Sequence, residues 1–262
     1  MTKRIILIFL TIVSLSTSLF AKTKKQKIDN IITEIQSNYN VKLFYDTIPA
    51  STWQTYITYE KITESDYNQF YDFLKLFKTE LYKYPVKFID TTNLKYVSFV
   101  KEFALSGQKR TALPDYVKEM LIYDIYRGCE YKTYVRHIIH HEFYHMIEEQ
   151  FHKTAYYKDS VWATFNNKEI KYGDGGASVQ DKGNVYLFTH PLQGFINLYA
   201  LSAIEEDKAE LYASLFIRKE KRKVKRWSRH DEILENKVLY MKKFLASLCS
   251  DKKKRIWKKA IT

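Results

Sequence analysis

Glycine and proline are scarce in this chain, at seven and four of 262 residues. So few turn-forming positions argue for helix-rich packing with few tight loops. There are no internal repeats and no long Pro/Gly/Ser linker, so no boundary between domains is marked. The glycines near residues 173–183 do not form G-x-x-x-x-G-K-S/T, which argues against a nucleotide-phosphate loop. No nucleic-acid module accompanies the positive charge, so no specific nucleic-acid partner is expected. Cysteine occurs only at Cys129 and Cys249. In an exported protein these two could pair, joining the region before residue 132 to the C-terminal helix; two separate buried thiols are equally compatible.

Hydrophobic residues make up 45% of the chain and aromatics 16%, too much apolar mass for a disordered protein. The N-terminus has the pattern of an export signal. Lys3 and Arg4 precede an apolar run from Ile5 to Leu15, and small residues follow from Ser16 to Ala21. The expected organisation is therefore a signal peptide over 1–21, cleaved after Ala21, and one domain over 22–262, placing the mature protein outside the cell or in the periplasm. The run is short for a spanning helix, so no stable membrane span is expected once it is removed. No cysteine follows it, and a bacterial lipid anchor is not indicated. The net charge of +13 would fall to +11 without Lys3 and Arg4. Much of it lies in Arg218 to Arg229 and Lys252 to Lys259, segments that could bind an anionic surface or polymer or simply form a solvated face.

Helical spacing of Tyr67, Phe70, Phe73, Leu74 and Phe77 predicts an amphipathic helix over Glu64 to Tyr82, after a shorter one over Ile28 to Ser37. Val41 to Tyr45, Val86 to Ile89 and Tyr96 to Phe99 are strand candidates. Met120 to Ile125 reads as a further strand, either at the edge of the sheet where an extended peptide could add to it or as an ordinary core strand. Lys132 to Phe151 reads as a long helix with Tyr134, Ile138 and Met146 toward the core. From Lys153 to Gly194, aromatic and polar residues alternate between glycines, suggesting a strand-and-loop excursion that roofs a cleft. Ile204 to Phe216 and Asp231 to Leu248 return to helix.

The long helix contains His141-Glu142-Phe143-Tyr144-His145, an H-E-x-x-H motif. Residues four apart share a helix face, so His141 and His145 can address one metal ion while Glu142 holds and deprotonates a water. Two surface histidines on a solvated helix would give the same spelling. A catalytic zinc usually takes a third protein ligand. The metzincin pattern fails, because Glu148 and Phe151 occupy its Gly and His positions and His152 is one residue out of phase. The remaining candidates lie in Glu205-Glu206-Asp207-Lys208-Ala209-Glu210. Glu206 and Glu210 share a face, so Glu206 can ligate while Glu210 orients a ligand histidine; Glu205 is the competing ligand. An acidic helix N-terminus complementing the helix dipole is the plain alternative for this cluster. His190 could contact substrate or serve structure.

With His141-Glu142-x-x-His145, Tyr199-Ala200 and Glu206-Asp207-x-Ala209-Glu210 in place, the chain resembles bacterial secreted zinc metallopeptidases of the gluzincin type. It is similar in particular to the catalytic domain of anthrax lethal factor. The resemblance covers roughly 113–248 and implies an α+β, helix-rich zincin-like domain with a small mixed sheet and an active-site helix. It further implies Zn2+ held by His141, His145 and Glu206, with Glu142 as general base. Tyr199, seven residues before Glu206, would polarise the carbonyl or protonate the leaving group. The expected activity is hydrolysis of peptide bonds in a peptide or protein substrate. Two other readings stay open: a secreted basic binding or toxin-like protein with a structural or vestigial zinc site, and a zinc hydrolase of non-protein amides such as cell-wall crosslinks. The first third of the chain contains no recognisable binding module.

Overall fold

The computed structural model describes residues 23–248. The expected signal segment, Cys249 and its pairing with Cys129, and the basic run Lys252 to Lys259 lie outside the described residues. Helix α1 (Lys24–Asn38) opens with a capping box between Thr23 and Gln26 and buries Ile28, Ile32 and Ile35. Strands β1 (Lys42–Phe44) and β2 (Ile57–Glu60) follow. A second capping box, Thr63 with Asp66, starts the turn that leads into α2 (Tyr67–Leu81), whose buried Phe70, Phe73, Leu74 and Phe77 match the predicted spacing.

Val86–Ile89 is not a strand but a one-turn helix, α3, entered through Pro85. Four apolar residues cannot distinguish a period of 2 from one of 3.6, and proline's fixed φ favours the start of a helix. Four more strands complete the sheet: β3 (Tyr96–Leu105), β4 (Gln108–Lys109), β5 (Ala112–Asp115) and β6 (Met120–Asp124). The strand order is β1-β3-β6-β5, with β1, β3 and β6 parallel and β5 antiparallel to β6. The far half of β3 pairs instead with β2 and β4. Glu102, at φ 51°, marks where β3 changes partners, and the Asp124 carboxylate accepts a bond from Phe103 N–H at 2.8 Å there.

Of the two readings of Met120 to Ile125, the core strand is the one observed, and the edge is displaced by one. Met120–Asp124 is fully buried with a neighbour on each side, and β5 forms the edge. Pro114 accounts for the exchange: it lacks an N–H, so its strand belongs where one side needs no ladder.

The remaining helices are α4 (Lys132–His152), α5 (Ser160–Phe165), α6 (Ile204–Phe216), α7 (Arg218–Trp227) and α8 (Glu232–Ser247), the last capped by Asp231. No described helix is long and apolar enough to cross a membrane. The main apolar cluster runs from Ile28 on α1 to Leu245 on α8. Between α2 and the sheet it is an aromatic stack, with Phe70, Phe73 and Phe77 each packed on Phe99 at ring separations of 5.2–5.8 Å. The excursion between α4 and α6 contains no named strand, only an isolated bridge between Leu192 and Phe195. Its aromatic alternation serves anchoring: Trp162 Nε1–H and Tyr172 Oη–H both donate to Asp207 of α6 at 2.7 Å.

Glu80 ties α2 to α4. It is fully buried, contacts His140 at 2.8 Å, and also pairs with Lys83 and Arg136. Burial raises the pKa of its carboxyl, but these neighbours outweigh it and hold the pKa near 2, from an ordinary 4.5. A depressed carboxyl pKa stabilises the fold above its unfolded value, and that contribution is lost as pH falls from about 5 toward 2. Glu80→Gln should therefore be destabilised at pH 7, with the deficit shrinking by pH 3; chemical denaturation at both values checks this. An equal deficit at both would contradict the linkage.

Candidate metal centre

Helix α4 is buried around almost its whole circumference from Val135 to Glu148, so its polar residues face protein rather than water. His137, His141 and His145 recur every fourth residue and form one stripe. Opposite lies α6, whose small Ala209 is fully buried. Its rotational setting is fixed by Asp207, the residue after Glu206: the Asp207 carboxylate accepts from Trp162, Tyr172 and Lys237, each at 2.7 Å. With Asp207 held on that side, Glu206 and Glu210 turn toward the histidine stripe.

His141 Nε2 and His145 Nε2 stand 3.2 Å apart, and Glu206 Oε2 lies 3.1 Å from the first and 3.5 Å from the second. Donor atoms around a tetrahedral zinc at about 2.0–2.1 Å are separated from one another by roughly 3.3 Å. Glu206 Oε2 is buried and lacks any aligned hydrogen bond, as expected of an atom that faces a cation. The three residues therefore fit a metal ion, and two neutral imidazoles with one carboxylate suit zinc. Burial disfavours the charged forms of His141 and His145. The adjacent Glu206 outweighs it and raises both pKa values, while the histidines hold the Glu206 carboxyl well below the carboxylate range.

Glu205 does not join this group; it is half-buried and lines the cleft beside it. Glu210 stands behind the histidines. Its Oε1 lies 2.8 Å from His141 Nδ1, close but not aligned as a hydrogen bond, and its Oε2 lies 3.1 Å from His137 Nε2. Asn197 Nδ2–H donates to the same Oε2 and Asn197 Oδ1 accepts from Ala200 N–H, which links Glu210 to the segment carrying Tyr199. His137 continues to Glu220 of α7 at 2.7 Å. Burial opposes its protonation, but the two carboxylates prevail and bring its pKa to about 10.

His137, Asn197 and Glu220 were not singled out in the sequence. For His137 a signal existed, namely its place one turn before His141. Nothing local marks the other two as part of this network, since the groups that tie them to it, Glu210 and His137, lie 13 and 83 residues away.

Glu142 is buried and faces the cleft that exposes the triad. Burial raises its pKa, and Glu206 adds to this against His141, His145 and Arg110. Tyr199 is buried with its ring 6.0 Å from that of His141 and 4.8 Å from that of Tyr186. Burial and the nearby Glu206 keep its hydroxyl protonated, a donor at ordinary pH. His190 lies elsewhere. Its Nδ1 contacts Phe195 O at 2.9 Å, its Nε2 lies 3.2 Å from Asp231, and its ring stacks on Trp227, so it fastens the excursion to α7 and α8. His152 stacks on Tyr157 and is no ligand. Glu148 binds Lys208 and accepts from Tyr144, a structural use of the residue that breaks the metzincin pattern.

The cleft has two lobes, of about 790 and 540 Å³, meeting at His141, Glu142 and Tyr199. Ala112 of the edge strand borders both, and Leu113 and Pro114 continue along the larger. Gly173 to Gly176 also line the larger lobe, so the excursion contributes to the wall of the cleft.

Among solved structures, the chain is similar to a proposed zinc-binding metallo-peptidase from Bacteroides caccae, with a TM-score of 0.52 over 92% of each chain at 15% identity. This likeness supports a metallopeptidase-like fold. The α+β, zincin-like architecture expected from sequence is the one observed. No family model and no curated protein matches the chain. The finer likeness to the lethal factor catalytic domain rests on the motif residues alone.

A Cβ on Gly176 would overlap both Tyr199 Oη and Glu206 Oε1, so this position admits only glycine while those two side chains stay in place. Gly176→Ala should weaken zinc affinity about tenfold or more, as displacement of groups around a metal does. Gly183→Ala, which meets open space, should leave it unchanged. Competition with a chromogenic chelator measures both; equal affinities would show that Gly176 does not set the ligand geometry.

Proposed function

We propose that this protein is an exported zinc metallopeptidase in which His141, His145 and Glu206 hold the metal. One observation carries the reading: three mutually close donor atoms, from His141, His145 and Glu206, face the larger lobe of the cleft, with the buried Glu142 beside them. Zinc, when bound, supplies Lewis acidity that polarises a carbonyl and lowers the pKa of water toward about 7.

The side chains do the rest. Glu142, its proton affinity raised by burial, takes a proton from the attacking water and passes it to the departing amine. Tyr199 Oη–H donates a hydrogen bond to the oxygen on which charge develops. Glu210, held by Asn197 and His137, fixes the orientation of the His141 ring. The free edge of β5 offers backbone groups to an extended peptide, aligning the scissile bond over Glu142. The cleft favours catalysis over a structural role, since structural zinc sites are closed by four protein ligands. Export rests on the N-terminal pattern, and contact with anionic surfaces on the basic stretch that includes α7. Non-protein amides are a narrower alternative, which a cleft lined by a strand edge favours less than peptides.

Purified protein should contain one zinc per chain, lost in Glu206→Ala and retained in Glu205→Ala. Glu142→Gln should keep the metal and lose about a thousandfold or more in kcat, in line with removal of a general base. Metal analysis alongside a fluorogenic peptide screen is decisive: wild-type cleavage by a zinc-loaded Glu142→Gln protein would refute the mechanism.

A further inference from the structure

The larger lobe of the cleft contains a cation that the fold leaves without a partner. Arg110, in the link between β4 and β5, lines this lobe and is nine-tenths buried. Its Nε has no hydrogen-bond acceptor, and among the described residues no carboxylate approaches its guanidinium within ion-pair distance. The other buried cations are treated differently. Lys208 pairs with Glu148 and Asp159, and Lys237 pairs with Asp207 at 2.7 Å. A buried charge without a counter-charge is costly, so the arrangement at Arg110 calls for a partner from outside the chain. A second donor in the same lobe has the same need: Trp53 Nε1 is buried, lines the cavity and lacks an acceptor. Lys158 stands exposed on the lobe wall. The lobe also contains acidic residues, Glu205 and Asp174 besides the site carboxylates; Glu142 feels the charge of Arg110 at longer range, but none of them reaches it within ion-pair distance.

Two unsatisfied N–H donors, one of them a guanidinium, specify an acceptor with negative charge. The planar fork of arginine fits a carboxylate through two parallel bonds, which a neutral amide cannot match. The partner must also reach beside Glu142, so it belongs to the bound substrate. We infer that Arg110 recognises a carboxylate of the substrate, making this cleft selective for peptides with an acidic group in the larger lobe. The inference rests on the peptidase reading and adds a substrate class to it. The carboxylate can be an Asp or Glu side chain or the C-terminus of the peptide.

The test compares matched fluorogenic peptides that differ only in Glu against Gln, each with a free or an amidated C-terminus. Wild-type zinc-loaded protein should prefer a carboxylate-bearing member by about tenfold or more in kcat/KM, as expected when a charged pair is matched or left unmade. Dependence on Glu assigns the side chain, and dependence on the free C-terminus assigns the terminal carboxylate. Arg110→Gln should bring that ratio near unity, and Arg110→Lys should retain part of it, both with melting curves like wild type. Absence of any preference in wild type, or a ratio unchanged in Arg110→Gln, would overturn the inference. Binding of the same labelled peptides to Glu142→Gln protein, followed by anisotropy, separates the two layers. Acidic peptides that bind through Arg110 but are never cleaved would refute the peptidase reading and leave carboxylate recognition standing. Cleavage without preference would do the reverse.

Discussion

Helices α4 and α6 meet through carboxylates set against imidazoles, and the rest of the molecule is arranged to make that contact possible. Glu206 and Glu210 approach His141, His145 and His137 in a region from which water is almost entirely removed. Such groups are costly to bury unless each finds a counter-charge or a metal, so their placement depends on a rigid surround. That surround is visible. Asp207 gathers Trp162, Tyr172 and Lys237 on one flank of α6, Glu80 gathers His140, Lys83 and Arg136 on the far side of α4, and Lys208 joins Glu148 to Asp159. The helix pair is thus held in register by polar nodes on both sides, and the candidate metal-binding atoms are left facing one another between them.

This arrangement explains why α4 shows little amphipathic patterning. Its buried residues include four histidines, His137, His140, His141 and His145, each beside a carboxylate of another helix, while the sheet and α2 supply the apolar contact. Phe99 links the two regions: it packs on three phenylalanines of α2 and belongs to β3, the strand that carries most of the sheet. Through this stack the first third of the chain, which contains no recognisable motif, becomes part of the support for the cleft. The excursion between α4 and α6 contributes in its own way. It has little regular structure, yet its aromatic residues fasten to α6 and α8, and its glycine-rich stretch comes close enough to Tyr199 and Glu206 that only a hydrogen fits between them. Arg110 stands out against this background, because the deeply buried lysines among the described residues, Lys208 and Lys237, have carboxylate partners within the chain.

The sequence by itself determined the local features. The four-residue spacing in His141-Glu142-x-x-His145, the shared face of Glu206 and Glu210, the phenylalanine periodicity of α2 and the limits of α6 follow from helix geometry, which acts over one or two turns and is legible in any linear text. Tertiary structure decided what depends on residues far apart. It turned Glu206 rather than Glu205 toward the histidines, because the Asp207 node sets the rotation of α6. It made β5 the edge in place of Met120–Asp124, because the ladder places Pro114 where no N–H is required. It turned Val86–Ile89 into helix and the aromatic alternation after Lys153 into anchors rather than strand. His137, Asn197, Glu220 and the unpartnered Arg110 acquire meaning only when elements distant in sequence are packed together. The cause is the range of the forces involved: backbone hydrogen bonding and side-chain periodicity act locally, whereas burial and charge pairing are settled only by the completed fold.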